Sequence, residues 1–318
     1  MNNFKKIGLT ALAGSLVATS VYAGEMSVNG NASVHMNNRA GTDGGKNISM
    51  GNQLTFTGGG ELDNGLNVSL SFVLDHADNV ASGFDSHSIT ISSDTLGSIT
   101  VAGDGTGNAQ SALDTTAAGD IWDNGFTYGA RRTSSYAAPV ASDAANNKSI
   151  NYTLPTLMDG VSASVSYSGA TTATDSTTAY GITYTGVEGL TVYYGAGEDG
   201  ATAGKADVTS MGASYAMGSF TAAVSKNDVD ADSSGTDEEQ DSWKISYTVT
   251  EDLSVSYGEE THETSGQSVD EEFDAITVSY TTGGMTLTAQ SIDATGLGNT
   301  SGALGEAERW KLSASFAF

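Results

Sequence analysis

Apolar and polar residues alternate along most of this chain with the two-residue period of an extended strand. The closing segment shows the pattern most clearly, because its apolar residues share one face: Trp310, Leu312, Ala314, Phe316 and Phe318. The residues between them are polar: Arg309, Lys311, Ser313 and Ser315. A strand of about ten residues with one apolar and one polar face can cross a membrane. The same pattern suits the last strand of a soluble β-sandwich, so the choice depends on the rest of the chain.

Further alternating segments follow from residue 26 onward, joined by short turns and longer polar stretches in strict alternation. Asp63-Asn64-Gly65 and Gly283-Gly284 are tight-turn sequences between two such segments. The pattern predicts about sixteen strands, an even number as single-chain bacterial barrels require. The predicted fold is therefore all-β, a transmembrane antiparallel β-barrel with short periplasmic turns and long extracellular loops.

The polar face of these segments consists mainly of Ser, Thr and Asn. One segment carries only serine on that face: Ser162, Ser164, Ser166 and Ser168. A soluble sandwich normally exposes many Lys and Glu residues there, whereas this chain concentrates its charge between the segments. No charged residue lies at the centre of an apolar face, where Arg or Lys would cost about 2–4 kcal/mol in lipid. These features favour the membrane barrel over the sandwich.

Residues 1–23 have the features of a secretory signal. Lys5 and Lys6 precede an apolar stretch from Ile7 to Val17, and Ala23 ends a site that a signal peptidase would cut. We predict that residues 24–318 form one barrel domain, because no composition shift or proline-rich linker divides them. Cysteine is absent, which excludes a disulfide scaffold although the chain is expected to be exported.

Acidic residues dominate the charge of the chain. The formal net charge is -26, and loss of the two signal lysines takes it to -28. Such a surface repels nucleic acid and attracts divalent cations. We therefore expect no nucleic-acid partner.

Several short sequences resemble those of Gram-negative general-diffusion porins. They are the turn Leu62-Asp63-Asn64-Gly65-Leu66, the segment Leu96-Gly97-Ser98-Ile99-Thr100-Val101-Ala102-Gly103, the segment Asn147-Lys148-Ser149-Ile150-Asn151-Tyr152 before Pro155, and the terminal Phe318. The resemblance covers the whole mature chain. It implies a homotrimer of sixteen-stranded barrels in the outer membrane, each passing ions and small hydrophilic solutes, with the third long loop folded inward.

The segment 104–147 is far longer than any other connection, and in this position the resemblance folds it into the barrel as a constriction loop. A structureless stretch of this length is usually functional or disordered. Its charged residues that we expect to line the opening are Asp104, Asp114, Asp120, Asp123, Arg131 and Arg132. The strand period places four basic residues on the lumen wall: Arg39, Lys244, Arg309 and Lys311. We expect the carboxylates to outweigh these cations and to make the pore weakly cation-selective; the alternative is a loop that is merely solvated at the surface.

One acidic segment is similar to a calcium-binding loop, since Asp228, Asp230 and Asp232 alternate and Glu239 occupies the twelfth position. Ser233 stands where that loop needs glycine, and strands flank the segment. Calcium binding there is one hypothesis, and no cofactor is required by any other pattern. The alternative is diffuse attraction of divalent cations, which we also expect of the next acidic loop: Glu259, Glu260, Glu263, Glu271 and Glu272.

Two other functional classes stay open at this stage. A surface adhesin or structural barrel would use its long acidic loops to bind a partner. An outer-membrane hydrolase is a further alternative, although the four histidines show no metal-ligand spacing: His35, His76, His87 and His262. Conduction of ions distinguishes a porin from both classes.

The outward faces of the strands also predict partners. Early strands place small residues outward, which suits packing against another subunit: Gly30, Ala32, Gly58 and Gly60. Later strands carry tyrosine at positions that suit the lipid interface. We therefore expect strands one to five and the last strand to form the trimer contact. Phe318 resembles the terminal signal that the barrel-assembly machinery recognises, and lipopolysaccharide is the expected lipid partner of the acidic loops.

Overall fold

The computed structural model of the chain describes residues 26–38, 46–75, 85–104, 107–124, 148–170, 175–200, 206–232, 236–302 and 305–318. The predicted signal, 1–23, lies outside these residues, as do Arg39, Arg131 and Arg132. Within the described ranges, no helix is long and apolar enough to cross a membrane.

Sixteen strands and two single-turn 3-10 helices make up the regular structure of these ranges. The strands are β1 (Met26–Asn38), β2 (Lys46–Glu61), β3 (Asn67–Asp75), β4 (Ser86–Ser93), β5 (Gly97–Asp104), β6 (Ser149–Thr153), β7 (Val161–Ser168), β8 (Thr177–Tyr184), β9 (Leu190–Asp199), β10 (Ala206–Met217), β11 (Phe220–Ala231), β12 (Glu238–Thr250), β13 (Leu253–Thr264), β14 (Glu271–Thr282), β15 (Met285–Thr295) and β16 (Ala307–Ala317). The 3-10 helices, Ser111–Leu113 and Ile121–Asp123, both lie between β5 and β6.

The strands form one closed antiparallel barrel, in which each strand pairs with its sequence neighbours and β1 pairs with β16. This confirms the predicted barrel of about sixteen strands. We call the end with the connections β2–β3, β4–β5 and so on to β14–β15 the turn end, and the other the loop end. Closure leaves no strand edge with unpaired N–H and C=O groups, which hydrocarbon would not tolerate.

The two faces of the barrel differ as the alternation predicts. Large apolar side chains point outward and are exposed, among them Val28, Ile89, Ile182, Ile245 and Leu312. An apolar surface of this extent is stable against lipid and not against water. Buried apolar residues occur instead on the inner side, where the largest cluster is Ile121, Phe273, Ala275, Ile292, Ala294 and Leu297. The core therefore lies inside the barrel, between the wall and the segment that carries Ile121.

The seam between β1 and β16 is completed by the last residue. The N–H of Gly30 donates to the carbonyl of Phe318 at 2.7 Å, and the N–H of Phe318 donates back at 2.9 Å. The Phe318 ring occupies the space that a side chain on Gly30 would need, against Leu54. The space above Gly30, which we expected to be open for another subunit, is thus filled by Phe318 of the same chain. At Gly58, by contrast, no atom lies within 4 Å of the position that a Cβ would take.

Candidate functional site

Residues 107–124, which we call the inner segment, lie against the inner wall of the barrel. The first residue of the segment contacts β6, because Asn151 donates through Nδ2 to the carbonyl of Gly107 at 3.1 Å. An Asx turn then opens the first 3-10 helix, because Asn108 Oδ1 accepts the N–H groups of Gln110 and Ser111, both at 2.7 Å. Through these contacts the inner segment leaves β5 and turns into the lumen.

Serine hydroxyls on the wall hold the inner segment through its backbone. The N–H of Ala109 donates to Ser166 on β7 at 3.0 Å. Further along, the N–H of Ala117 donates to Ser225 on β11 at 2.7 Å, and that of Ala118 to Ser242 on β12 at 3.0 Å. These N–H groups would otherwise be buried without a partner. The serine-rich polar face seen in the sequence is therefore partly a support for the segment.

Glycines on the wall give the inner segment room to approach. A side chain on Gly181 of β8 would collide with the carbonyl of Ala109. On β13, a Cβ on Gly258 would lie 3.0 Å from that of Ala118. The path of the segment therefore follows positions of the wall that lack side chains.

A local turn fixes the middle of the inner segment. The Thr116 hydroxyl accepts the N–H groups of Gly119 and Asp120, at 3.1 and 2.7 Å, and Asp120 Oδ1 accepts the N–H of Thr116 at 3.0 Å. Gly119 and Asp120 have φ values of 92° and 52°, a left-handed conformation that glycine and aspartate tolerate better than most residues. The turn directs the second 3-10 helix back toward the wall.

Glu260 on β13 binds the amino end of that second 3-10 helix. Its carboxylate is fully buried and accepts the N–H groups of Ile121 and Trp122, at 2.9 and 3.0 Å, and the Thr116 hydroxyl. Hydrogen bonds to a charged group contribute about 1.5–3 kcal/mol each, which offsets part of the cost of burying the carboxylate. Glu260 is thus the strongest single attachment of the inner segment.

The position of Glu260 corrects the expectation that the acidic residues of this region form a diffuse, solvated loop. Glu260 and Glu271 are buried inside the barrel, and Glu271 accepts the N–H of Gly298. Strand phase could have identified them, because both alternate with outward residues of β13 and β14. Composition alone could not separate them from their exposed neighbours.

A buried amide network lies behind the inner segment. Asn227 donates through Nδ2 to the carbonyl of Asp114 at 2.7 Å and to Gln240 Oε1 at 2.9 Å. Gln240 Nε2 lies 2.9 Å from His262 Nε2, and the His262 ring packs against Trp122 and Phe273. The network therefore joins three strands to both ends of the turn.

The structure brings Asp114, Asp120 and Asp123 together on the inner segment. Burial, and then the neighbouring Asp120 carboxylate, raise the pKa of Asp114 to about 6. Partial burial and Asp120 also raise the pKa of the more exposed Asp123, while Lys311 opposes this shift. These three carboxylates therefore form one interacting group. Asp104 is the last residue of β5 and stands before the segment.

Three of the predicted wall cations lie on the inner face. Lys311 donates through Nζ to Asn124 Oδ1 at 3.3 Å, so the end of the inner segment reaches β16. Arg309 shares the phase of Lys311 on β16, and Lys244 pairs with Gly258 beneath the segment. The lumen at this level thus has carboxylates on the segment and cations on the wall.

The structure does not gather the four predicted calcium ligands. Asp228 and Asp230 lie on the outward face of β11, Asp232 follows the strand, and Glu239 on β12 forms an ion pair with Lys226. Among the described residues, no group of three or more His, Cys, Asp or Glu side chains could hold a metal ion. Specific calcium binding here stays a prediction.

Replacement of Glu260 by Ala is expected to loosen the inner segment. The change leaves two N–H groups and a hydroxyl without their acceptor, at a cost of about 1–3 kcal/mol for each buried group. Amide hydrogen exchange at Ile121 and Trp122 should accelerate by about tenfold or more, with a smaller effect for Glu260→Gln, which keeps one acceptor. Glu263→Ala, on the outward face of the same strand, is the matched control. Unchanged exchange in Glu260→Ala would show that the carboxylate does not hold the segment.

Comparison with solved structures shows the same fold in three outer-membrane proteins, among others. The barrel resembles an anion-selective porin from Comamonas acidovorans, with 16% identity, a TM-score of 0.65, and coverage of 92% of this chain and 99% of that chain. It also resembles OmpF from Salmonella typhi in complex with daunomycin, with 12% identity, a TM-score of 0.68, and coverage of 93% and 98%. OmpT of Vibrio cholerae without its loop L8 has 14% identity, a TM-score of 0.65, and coverage of 93% and 100%. At these identities the likeness establishes the fold alone.

Sequence comparison identifies the family. A search of curated proteins found no match. The family model described as Gram-negative porin matches residues 8–252, well over half of the chain. The sixteen-stranded barrel agrees with that match. The chain therefore belongs to the Gram-negative porin family.

Proposed function

We propose that this porin forms a water-filled, weakly cation-selective channel through which ions and small hydrophilic solutes diffuse passively across the outer membrane. The observation that carries the proposal is the inner segment, which presents Asp114, Asp120 and Asp123 inside the barrel. The segment is held by wall serines and by Glu260, so its carboxylates keep fixed positions in the channel.

The balance of charges favours cations. Lys311 is engaged by Asn124, and Lys244 is half-buried beneath the inner segment, so neither cation is fully presented to the lumen. At physiological salt the Debye length is about 8 Å, and charges therefore select ions only where the channel is narrow. The carboxylates of the inner segment stand at such a place, because the segment itself reduces the opening.

Replacement of Asp114, Asp120 and Asp123 by Asn together is expected to shift the reversal potential in a salt gradient toward anions. Asn keeps an oxygen that can accept the N–H of Thr116, so the turn should survive the loss of charge. The measurement is ion selectivity in a planar bilayer. Asp63, Asp159 and Asp252 in the turns supply a control triple replacement that removes the same charge from the other end of the barrel. Equal shifts in both triple variants would exclude the inner segment as the selective element.

Selectivity should also depend on pH because of Asp114. Its raised pKa, about 6, means that this carboxylate is fully charged only well above that value. Lowering the pH from about 7.5 to 5 should therefore weaken cation selectivity, in a range where an ordinary aspartate stays charged. Reversal potentials of Asp114→Asn should change less over the same range, and any remaining change reports Asp123, whose pKa is also raised by burial and by Asp120. Parallel pH profiles for both proteins would contradict this role of Asp114.

We also propose that three copies associate through β1 to β5 and β16. The outward faces of these strands carry small residues and the stacked rings of Phe56 and Phe72, whose centroids are 4.8 Å apart. The loop end of the later strands is acidic, so contact with lipopolysaccharide phosphates there would require bridging divalent cations such as calcium. The short turns would then face the periplasm and the long loops the exterior.

Replacement of Phe318 by Ala is expected to reduce insertion by the barrel-assembly machinery more than it reduces stability. The lost ring is worth at most about 3 kcal/mol of apolar burial, and the two backbone hydrogen bonds to Gly30 remain. Outer-membrane yield should fall sharply, while the free energy of unfolding in detergent changes little. Phe316→Ala is the matched control, because it removes a similar ring from the same outward face two residues earlier in the chain. Equal yields for the two variants would leave only packing as the role of Phe318.

A further inference from the structure

The outward face at the loop end is strongly acidic over one half of the barrel. From β9 to β16 its outward residues include a row of carboxylates: Glu198, Asp207, Asp228, Asp230, Glu239, Asp241, Glu259, Glu263, Glu272, Asp274, Asp293 and Glu308. Lys226 is the one basic residue among the described outward positions of these strands. We call this surface the acidic rim.

Carboxylates of the acidic rim lie directly opposite one another on neighbouring strands. Glu259 pairs with Asp274, Asp274 with Asp293, and Asp293 with Glu308. Directly opposed like charges destabilise a sheet. Among the described outward positions, the edge at β15 and β16 therefore has no basic residue opposite its carboxylates, next to the barrel seam.

The outward face from β1 to β6 has the opposite character. Within β1 to β6 its described outward positions carry no carboxylate, the nearest being the exposed Asp85 just before β4, and its basic or imidazole side chains are Lys46, His87 and Lys148. His87 and Lys148 border an apolar groove of about 460 Å³ with Ile89, Val101 and Ile150. The His87 ring packs directly over Gly103, in the space that a side chain at this position would need. The Lys148 ammonium group and the His87 imidazole thus lie beside an exposed apolar surface.

At the loop end, where β9 to β16 carry the acidic rim, β1 and β2 have apolar outward residues. Ile48 and Met50 are 70% and 61% exposed, and Met36 pairs with Ile48 at the loop end of β1 and β2. Glu308 is close to this patch, since its carbonyl accepts Asn38 Nδ2 at 3.1 Å. Apolar residues at the level of carboxylates are poorly suited to a charged lipid surface and well suited to protein. The occupant that fits both the apolar patch and the cations is a second copy of this chain.

A threefold assembly brings different edges of one surface together. In a cyclic trimer each contact is heterologous, so a contact through β1 to β5 and β16 brings the β16 edge of one copy beside the β5 edge of the next, where Lys148 immediately precedes β6, the neighbour of β5. We propose that Lys148 and His87 of each subunit bind Glu308 and Asp293 of the next subunit at the loop end. This inference rests on the proposed trimer and assigns its contact a charge pair. The pair places cations against this acidic edge.

Charge reversal and charge exchange test this contact in the full-length protein. Lys148→Glu and Glu308→Lys should each lower the temperature at which the trimer dissociates in detergent. The double variant, Lys148→Glu with Glu308→Lys, should recover much of the loss, because the opposite charges again face each other. Lys226→Glu, on β11 away from this contact, is the control and should leave trimer dissociation unchanged. Failure of the double variant to recover stability while both single variants lose it would overturn the pairing.

A zero-length crosslink supplies a second measurement. Carbodiimide treatment of native membranes should join the Lys148 amine to the Glu308 or Asp293 carboxylate of another subunit, giving a dimer band whose linked peptide identifies the pair. If Lys148→Glu leaves trimer dissociation unchanged but reduces copurified lipopolysaccharide, the groove is a lipid site and the proposal is wrong. Channel conductance of the same samples separates the two proposals. A conducting trimer without the crosslink overturns only the contact, whereas a wild-type protein that passes no ions fails as a channel.

Discussion

Backbone hydrogen bonding is the constraint on which the rest of this structure depends. A strand in hydrocarbon has no water with which to satisfy its N–H and C=O groups. The chain meets this requirement by pairing every strand on both sides and joining β1 to β16. Side-chain alternation follows, because a closed sheet has one face toward lipid and one toward the lumen. The last residue extends the seam by its two hydrogen bonds to Gly30.

The same requirement governs the inside of the barrel. The inner segment has no sheet partner, so its N–H groups would be unpaired against the wall. Ser225, Ser242 and Glu260 supply the acceptors, and the segment becomes a fixed part of the lumen. Fixed carboxylates differ from those on a solvated loop, because they act at one level of the channel, where burial and then Asp120 raise the pKa values of Asp114 and Asp123. In the function proposed above, selection among ions would then depend on hydrogen bonds made behind the charged groups.

The sequence predicts the barrel well because its signal is local. Two-residue alternation, repeated between turns, is visible in any single segment, and it also placed Lys244, Arg309 and Lys311 on the inner face. The attachments of the inner segment depend on contacts between residues far apart in the chain. Thr116 and Glu260 are 144 positions apart, and nothing near either residue indicates the other. Acidic composition was misleading for the same reason, since Glu259 and Glu260 differ in the face they occupy and not in their chemistry.

The glycines beneath the inner segment have a consequence for the bore of the channel. Gly181 and Gly258 set how deeply the segment sits in the wall, because any side chain there would push it toward the axis. The width of the opening is therefore determined by residues of the barrel wall that lie behind the inner segment, out of contact with a passing solute. Relatives with the same loop length could differ in permeability through such positions alone. Substitutions of one methyl group on the wall would then tune the size limit of the pore in small steps without altering its charge.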